Sequence, residues 1–447
     1  MGVIKPFRAV RFNQDRIADL QAVVSQPYDK IDDALRERYL ALSPHNVVRI
    51  ILNPPQPGDD PASPQGPNVY TRARDTYQAW LREGILRREE RPAFYVYAQT
   101  FRVEGRAYTR HGLIAAVELT DFAEGTILPH ERTHSGPQED RLRLLTTVGA
   151  NTEQIFLLYP DAQNTVNRIA QDALGNRPPD VDIAEPGEPD VRQQLWALTD
   201  PAALAAIEAT LAPLRGLIIA DGHHRYSTGL TYRDQQRRAH PGAPPNAAFN
   251  FVQATLVSMD DPGLVILPTH REICQFSERS AADVLRRAAE TFTVAPVASL
   301  EACLAQVNAH ASGHAFGFYG GPGTGFHVLT LRDAALAQTL IAGDHSPQWK
   351  ALGVSVLHKI LIEQVTGVPA RGIEDKTMIR YHRDPHEPVA NIDAGLGNFA
   401  FFLPATRLDQ IRTVAAQGEP MPQKSTDFYP KVISGLTMLP VGPDERL

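Results

Sequence analysis

Proline is the residue type that most limits the folds open to this chain, since 36 of its 447 residues are proline. A proline inside a helix removes a backbone hydrogen bond and clashes with the preceding turn, so long helical bundles are disfavoured. Short runs with helical or strand-like spacing alternate irregularly with hairpins, without a regular β-α-β order. We therefore predict an α+β fold of mixed sheets with packed helices.

The composition is that of an ordinary globular protein, with 43% hydrophobic and 21% charged residues, which excludes wholesale disorder. The net charge of −7 disfavours binding to nucleic acids or anionic membranes. Cys274 and Cys303 are too few for a disulfide scaffold or a four-cysteine zinc site, and fit a reducing cytoplasm. No stretch of about 18 apolar residues and no signal-peptide pattern occurs, so we expect a cytoplasmic protein without a membrane span.

The length suggests two or three domains, at roughly 150 residues per domain. We expect an N-terminal α+β region over residues 1–245 and a C-terminal one over residues 246–447. No clear linker marks this boundary, and the alternative is one intertwined unit.

Two local patterns are clear enough to test. Phe94 to Val103 and Arg106 to Leu119 predict a hairpin around Glu104-Gly105, and the β-branched run Val47 to Leu52 predicts a strand.

The sharpest local pattern is a buried strand, Leu217 to Ala220, that runs into Asp221-Gly222-His223-His224-Arg225 and then a predicted helix. Gly222 allows a positive φ or close approach to a ligand. The first N–H groups of a helix are unpaired and favour anions, and the fork of Arg225 suits phosphate or carboxylate. The segment therefore predicts an anion-binding turn.

Two other interpretations of this turn stay open. His223 and His224 are exposed loop residues if Asp221 merely caps the helix. The adjacent histidines also suggest a catalytic metal. However, neighbouring residues rarely face one ion, and no His-x-x-x-His or His-Glu-x-x-His spacing supports them.

The chain resembles the bacterial and archaeal family known as domain of unknown function 1015 over nearly its whole length. The resemblance rests on ordered motifs, namely Ile4-Lys5-Pro6-Phe7-Arg8-Ala9, Pro27-Tyr28-Asp29, Leu128-Pro129-His130-Glu131-Arg132-Thr133, Asp140-Arg141-Leu142, Ala220 to Tyr226, Leu267-Pro268-Thr269-His270-Arg271, Met421 to Thr426, Phe428-Tyr429-Pro430-Lys431 and Ser434-Gly435-Leu436. This family likeness names no reaction.

Over about ten residues, the Asp-Gly-His-His-Arg turn is similar to the nucleotide-binding turn of the ParB and sulfiredoxin superfamily. That superfamily includes nucleotide-hydrolysing ParB proteins, ATP-using sulfiredoxins and free-serine kinases. The resemblance implies a strand-turn-helix element that binds a nucleotide. Sulfiredoxins carry a cysteine where His223 stands, so repair of sulfinic acids is not supported, whereas the kinase version of the motif matches Asp221 to Arg225.

Four further segments carry reactive side chains. His130-Glu131 lies in a Pro/Gly-framed loop, where Glu131 could act as a general base with His130 as its partner. Arg271 follows a strand and could meet the same anion as Arg225. Lys424-Ser425-Thr426 could hold phosphoryl oxygens, and Asp29 could bind magnesium. Each segment also has a purely structural interpretation. His130-Glu131 would be an exposed loop and Arg271 would form a strand-end ion pair. Lys424 to Thr426 would be a tail strap, and Asp29 would be part of a turn.

We therefore expect a nucleotide-dependent phosphotransferase that acts on a small hydroxylated metabolite, with a serine kinase as one specific form, and that uses ATP or ADP and Mg²⁺. The expected catalytic residues are Glu131, His130, His223 and Asp221; the cofactor-binding residues are Gly222, His224, Arg225, Arg271, Lys424, Ser425 and Thr426; the metal ligands are Asp221 and Asp29. Two alternatives stay open: a metal-dependent hydrolase or lyase, and a non-catalytic nucleotide-binding regulator of the ParB type. The partners expected are a nucleotide and a small-molecule substrate.

Overall fold

The computed structural model of the chain describes residues 4–60, 63, 65–131, 135–310 and 313–447. These residues form two compact units. The first unit contains residues 4–129, 135–265 and 430–447, and the second contains residues 130–131 and 266–429. The expected domain boundary after residue 245 thus lies inside the first unit. Both units combine helices with mixed or antiparallel sheets, so the predicted α+β class is confirmed.

The strands are 2 to 13 residues long. In order they are β1 (Ile4–Lys5), β2 (Val10–Phe12), β3 (Leu86–Arg88), β4 (Phe94–Val103), β5 (Arg106–Glu118), β6 (Ile127–Leu128), β7 (Ala150–Asn151), β8 (Ile155–Tyr159), β9 (Val181–Glu185), β10 (Glu188–Leu198), β11 (Leu217–Asp221), β12 (Phe251–Ser258), β13 (Val265–Ile266), β14 (His270–Ile273), β15 (Phe292–Val297), β16 (Ala315–Tyr319), β17 (Phe326–Leu331), β18 (Ile379–His382), β19 (Phe399–Phe402), β20 (Phe428–Tyr429) and β21 (Leu439–Pro440).

The α-helices are 4 to 17 residues long. They are α1 (Asp33–Leu42), α2 (Val48–Ile51), α3 (Val69–Arg82), α4 (Ser135–Val148), α5 (Thr165–Leu174), α6 (Pro201–Leu211), α7 (His223–Ala239), α8 (Ala281–Ala288), α9 (Leu300–Ala309), α10 (Ala335–Leu340), α11 (Pro347–Lys350), α12 (Gly353–Val356), α13 (Ala370–Glu374), α14 (His386–Asp393) and α15 (Leu408–Ala416). Turns of 3₁₀-helix cover Gln21–Val23, Tyr28–Lys30, Phe122–Glu124 and Ala248–Asn250, and a π-helix covers Leu357–Thr366.

A nine-stranded sheet organises the first unit, in the order β6-β11-β8-β12-β5-β4-β10-β9 with β1 added to β5. Strand β11 is antiparallel to β8, and the register of this pair shifts between Ile219 and Asp221. Such an irregularity bends a strand and redirects the side chains beside it. It lies directly before the turn that the sequence singles out.

The predicted hairpin is confirmed, because β4 and β5 pair antiparallel around Glu104 and Gly105, which have φ values of 49° and 77°. The predicted strand over Val47 to Leu52 is wrong, since this segment contains helix α2. Asn46 explains the difference: its Oδ1 accepts a hydrogen bond from Val48 N, and its Nδ2 donates to the carbonyls of Ala22 and Val24. Tertiary contacts therefore override the β-propensity of a β-branched run.

The core of the first unit lies against the middle of its sheet. Apolar side chains of β8, β11 and β12, among them Ile155, Leu157, Ile219 and Leu256, are fully buried. Burial of apolar surface contributes about 25 cal/mol for each Å² removed from water, so these central strands give a firm base to the elements that follow them. One of those elements is helix α7.

The second unit is built on a six-stranded sheet in the order β15-β17-β16-β19-β14-β18. Strands β16 and β17 pair antiparallel, from Ala315↔Thr330 to Tyr319↔Phe326. Helix α9 packs Cys303 and Val307 into the core of this unit. Both cysteines of the chain are buried and unbridged.

Candidate functional site

The Asp-Gly-His-His-Arg segment passes from strand to helix through a single residue. Gly222 has φ +91°, in the left-handed region, and α7 begins at the next residue, His223. A Cβ atom on Gly222 would lie 3.1 Å from Arg225 Nε. The position therefore requires glycine twice, for its backbone angle and for the space that the Arg225 side chain occupies. Because the helix begins at His223, both histidines lie in its first turn and not in an exposed loop.

Helix α7 is anchored immediately after this turn. Tyr226 is fully buried, its hydroxyl donates to Thr120 O at 2.8 Å, and Thr120 N donates back to it at 3.1 Å. The aromatic ring packs on Phe122 with the centroids 5.3 Å apart. Because Tyr226 follows Arg225 directly, these contacts also fix the backbone from which Arg225 extends.

Asp221 does not cap the helix, since no side chain caps α7 and the Asp221 carboxylate is bound to two cations instead. Arg225 Nη2 lies 2.6 Å from Asp221 Oδ2, and Lys431 Nζ lies 3.1 Å from Asp221 Oδ1. Burial by itself would raise the pKa of Asp221, but Lys431 and Arg225 outweigh burial and hold this pKa well below its usual range. We call Asp221, Gly222, Arg225 and Lys431 the Asp221 cluster.

The guanidinium of Arg225 is not fully used by the protein. Its Nη1 donates to the carbonyl of Gln154, and its Nη2 to Asp221. Its Nε is buried and has no hydrogen-bond partner among the residues that the structure describes. A buried donor without an acceptor is costly, about 1–3 kcal/mol, so this atom is suited to a ligand or a water molecule.

A short 3₁₀-helix, Tyr28–Lys30, places three polar residues within electrostatic range of the Asp221 cluster. Lys30 contributes to the low pKa of Asp221, and Asp29 is among the acidic groups that raise the pKa of Arg225 against the effect of burial. Burial raises the pKa of Tyr28 to about 12 although Arg225 and Arg141 oppose this. Asp29 and Asp221, the two expected magnesium ligands, thus both act electrostatically on Arg225.

Glu153 ties this region to the rest of the first unit. Its Oε1 accepts hydrogen bonds from Tyr28 N at 3.0 Å and Ser434 Oγ at 3.3 Å, and its Oε2 lies 3.5 Å from Arg141 Nη1. The guanidinium of Arg141 lies 4.2 Å from the centre of the Tyr28 ring. A cavity of about 40 Å³, lined in part by Arg141, Glu153 and Arg225, holds room for about one water molecule.

Sequence analysis missed Lys431, Glu153 and Arg141 as members of this site. Lys431 was visible only as the second lysine of the tail motif that also contains Lys424. Arg141 lies in α4 and was noted only within the Asp140-Arg141-Leu142 motif, and Glu153 lies in the bend between β7 and β8. Their contacts depend on the fold, which brings the 430–447 segment back to the first unit.

The remaining candidates lie in the second unit. His130 is fully buried, its Nε2 lies 2.9 Å from Thr426 Oγ1, and its carbonyl accepts from Met421 N at 2.8 Å. The His-Glu loop and the tail motif are therefore in contact. Glu131 is partly exposed. The neighbouring Arg132 and Thr133 of the same motif lie outside the described residues.

Arg271 binds the backbone of the 421–426 tail motif and is not exposed to solvent. Its Nη2 donates to Lys424 O at 2.9 Å, its Nε to His358 Nε2 at 3.2 Å, and its guanidinium is fully buried. Ser425 Oγ donates to the carbonyl of Pro422, and Ser425 and Thr426 are buried. These contacts favour the tail-strap interpretation for both hydroxyls. Lys424 is exposed and has φ +54°.

Asp221 to Arg225 thus belong to the first unit, and His130, Glu131, Arg271 and Lys424 to Thr426 belong to the second. The expectation that they act on one ligand stays a prediction. Within the described residues, no group of three or more His, Cys, Asp or Glu side chains is placed to hold a metal ion. No helix in the described part of the chain has the length and apolar character to cross a membrane.

Comparison with solved structures gives three representative neighbours, all with low identity. A conserved hypothetical protein from Pyrococcus furiosus is 14% identical with a TM-score of 0.34, over 72% of this chain and 94% of that one. A free serine kinase in complex with AMP has the same identity and TM-score, over 72% and 90%. SbnI from Staphylococcus aureus, truncated at its C-terminus, is 9% identical with a TM-score of 0.35, over 73% and 87%.

Free serine kinases are thus among the structures to which the chain is similar. No curated protein matches the chain. The sequence profile of the protein family of unknown function DUF1015 matches residues 4–355, well over half of the chain. The chain therefore belongs to the DUF1015 family.

Proposed function

We propose that this protein is a nucleotide-dependent phosphotransferase that moves a phosphoryl group from ATP or ADP to a small hydroxylated metabolite, in the manner of a serine kinase. The observation that carries the proposal is the Asp221 cluster. It combines an arginine whose buried Nε has no hydrogen-bond partner among the described residues, a second cation on the same carboxylate, and the start of a 17-residue helix. Phosphoryl transfer depends on such preorganised positive groups more than on covalent chemistry.

Arg225 and Lys431 are suited to the charge of a polyphosphate because Asp221 already holds both of them in place. Arginine forms paired hydrogen bonds with phosphate oxygens, and lysine supplies a compact positive charge. The unpaired N–H groups at the start of α7 favour an anion there by about 0.3–2 kcal/mol. Since Gly222 has no side chain, a ligand can approach the backbone of this turn closely.

Asp221 and Asp29 suit a magnesium ion that arrives with the nucleotide. Magnesium in nucleotide sites is held by one or two carboxylates together with phosphate oxygens and water, so a ready-made set of three protein ligands is not required. The ion would neutralise charge on the transferred phosphoryl group. Glu131 and His130 stay the predicted acid–base pair, and His223 and His224 stay predicted site residues.

The test is isothermal titration with ATP, ADP and CTP, each with and without Mg²⁺, followed by ³¹P NMR of reactions with serine and other hydroxylated metabolites. Arg225→Ala should weaken nucleotide binding by about 1.5–3 kcal/mol, the scale of a lost hydrogen bond to a charged group. Arg225→Lys keeps the charge and should lose less. Arg233→Ala is the matched control, since Arg233 is also buried on α7 but donates to Leu119 O at 2.8 Å.

Three results would contradict the proposal. The first is no binding of any nucleotide to the folded wild-type protein. The second is equal weakening by Arg225→Ala and Arg233→Ala. The third is stabilisation by Zn²⁺ or Mn²⁺ alone, without any response to nucleotides, which would favour a metal-dependent hydrolase. Binding without turnover on any hydroxylated substrate would instead identify a nucleotide-binding regulator.

A further inference from the structure

We propose that Gln99 and Arg110 are positioning residues that hold Lys431 against Asp221, so that Lys431 serves as a second cation for the phosphoryl oxygens of the ligand. The inference rests on the proposed function, because it adds residues to the same anion site. It concerns the first unit alone.

Gln99 and Arg110 are opposite each other in the hairpin of β4 and β5. Both side chains are almost completely buried, with 1% of each residue exposed. Arg110 Nε donates to Gln99 Oε1 at 3.1 Å, which links the two side chains. The pair then reaches the 430–447 segment: Arg110 Nη2 donates to Pro430 O at 2.6 Å, and Gln99 Nε2 donates to Lys431 O at 2.9 Å. Two consecutive carbonyls are therefore fixed by one cross-strand pair.

Arg110 keeps its charge in this buried position. Its guanidinium lies 4.7 Å from the centre of the Phe156 ring, and burial lowers its pKa to about 10, still well above neutrality. Asp221 is among the acidic groups that act in the opposite direction on this pKa. Arg110 thus stays a charged donor for the carbonyl of Pro430.

Because the backbone of Lys431 is fixed, its ammonium group has only a short distance to cover to reach a ligand. A lysine has a flexible stem of four carbons and normally loses considerable freedom when its ammonium group is held. Here the carbonyl of Lys431 and that of the residue before it are both bound, and its Nζ lies 3.1 Å from Asp221 Oδ1. Lys431 can therefore contact a phosphate near Asp221 by rotation of its side chain alone, without movement of the backbone. This is the advantage of a preorganised site.

A double-mutant cycle on nucleotide affinity tests the proposal. Lys431→Met should weaken binding of ATP with Mg²⁺ by about 10- to 100-fold, and Arg110→Met and Gln99→Met by about 10-fold each. In the Lys431→Met background, Arg110→Met should change affinity by less than about 2-fold, because residues that act through Lys431 are not additive with its loss. Arg233→Met, which removes an equally buried arginine on α7, should leave affinity unchanged in both backgrounds.

A second measurement does not depend on nucleotide binding. Acetylation of Lys431 by acetic anhydride, followed by mass spectrometry, reports whether its ammonium group is held, with Lys5 and Lys359 as internal references. The rate at Lys431 should rise several-fold in Arg110→Met and Gln99→Met and stay unchanged in Arg233→Met.

An unchanged acetylation rate in both variants overturns the positioning role, as does an additive double-mutant cycle. If the wild-type protein binds no nucleotide, the proposed function and the ligand role of Lys431 both fail. In that case a raised acetylation rate still shows that Gln99 and Arg110 hold Lys431, so the two failures are distinguishable.

Discussion

Lys431 Nζ lies 3.1 Å from Asp221 Oδ1, although 210 positions separate the two residues along the chain. The other oxygen of the same carboxylate binds Arg225, only four positions away. One buried carboxylate thus collects a local and a distant cation. Since charged groups buried together depend on each other, Asp221 should be the most sensitive residue of the cluster.

Asp221→Asn should lower the free energy of unfolding by about 3–5 kcal/mol near neutral pH, because it leaves two cations with no buried counter-charge. The pKa of Asp221 is depressed in the folded state, so its stabilisation is present above the unfolded pKa of about 4 and is lost as pH falls below that value. Urea unfolding at several pH values checks this. The difference between wild type and variant should shrink on acidification.

The control for this prediction is Asp182→Asn, which breaks the exposed ion pair with Arg192. Exposed pairs contribute at most about 1 kcal/mol, so this variant should stay close to wild type. Equal losses in the two variants would show that the Asp221 ion pairs add nothing special to stability.

Gly222→Ala should destabilise the protein by about 1–3 kcal/mol through its positive φ, and should also displace Arg225, whose Nε lies 3.1 Å from the new Cβ position. Gly105→Ala is a matched control, because Gly105 also has a positive φ, +77°, but no atom lies within 4 Å of its Cβ position. We expect both variants to lose stability and only Gly222→Ala to lose nucleotide affinity, as measured by urea unfolding and calorimetric titration. An equal affinity for nucleotide in all three proteins would separate Gly222 from the binding site.

Glu131→Gln should leave nucleotide binding nearly unchanged and slow turnover by roughly 10²–10⁴-fold, the usual contribution of a general base. The exposed Glu90 provides the control variant, Glu90→Gln, which should keep full activity. Steady-state kinetics with the metabolite that the NMR screen identifies give the answer. A normal turnover number for Glu131→Gln would remove this residue from the mechanism.

Glu185 gives the protein a second pH dependence, of opposite sign. Burial, with help from Glu188, raises the pKa of Glu185 to about 8, and its Oε2 accepts a hydrogen bond from Gln193 Nε2 at 2.7 Å. Between about pH 4.5 and 8 the unfolded carboxyl is ionised while the folded one is protonated, so the free energy of unfolding should fall as pH rises.

The slope from this single group is at most about 1.4 kcal/mol per pH unit. Glu185→Gln should therefore flatten the pH dependence over this window, whereas Glu83→Gln, at an exposed position, should not. Denaturant unfolding at a series of pH values measures both slopes. A wild-type slope that survives in Glu185→Gln would mean that another group carries it.

Local chemistry was enough to predict several elements from the sequence. The hairpin of β4 and β5 follows from Glu104-Gly105 between two strand-like runs, and the strand-turn-helix around Gly222 follows from an apolar run that ends in Asp-Gly. In both cases the decisive information lies within a few residues. The helix over Val48–Ile51 was missed because Asn46 is held by the carbonyls of Ala22 and Val24, which local propensity does not report.

Only the residues of the candidate site that lie close together in the sequence could be predicted. Asp221 and Arg225 were identified because both lie in the Asp-Gly-His-His-Arg turn between a buried strand and a predicted helix. Lys431 and Glu153 join them through long-range contacts, and Gln99 lies 332 positions from the residue whose carbonyl it binds. No periodicity or spacing encodes such contacts, because they arise from the arrangement of the sheet.

The return of residues 430–447 to the first unit also has a consequence for protein synthesis. A ribosome that has translated residues 4–265 has made most of the first unit, yet it must still translate residues 266–429 before Pro430 and Lys431 emerge. Until then the hairpin pair Gln99 and Arg110 lacks its carbonyl acceptors, and Asp221 lacks one of its two cations. The Asp221 cluster is therefore completed only after the intervening residues 266–429 have been translated.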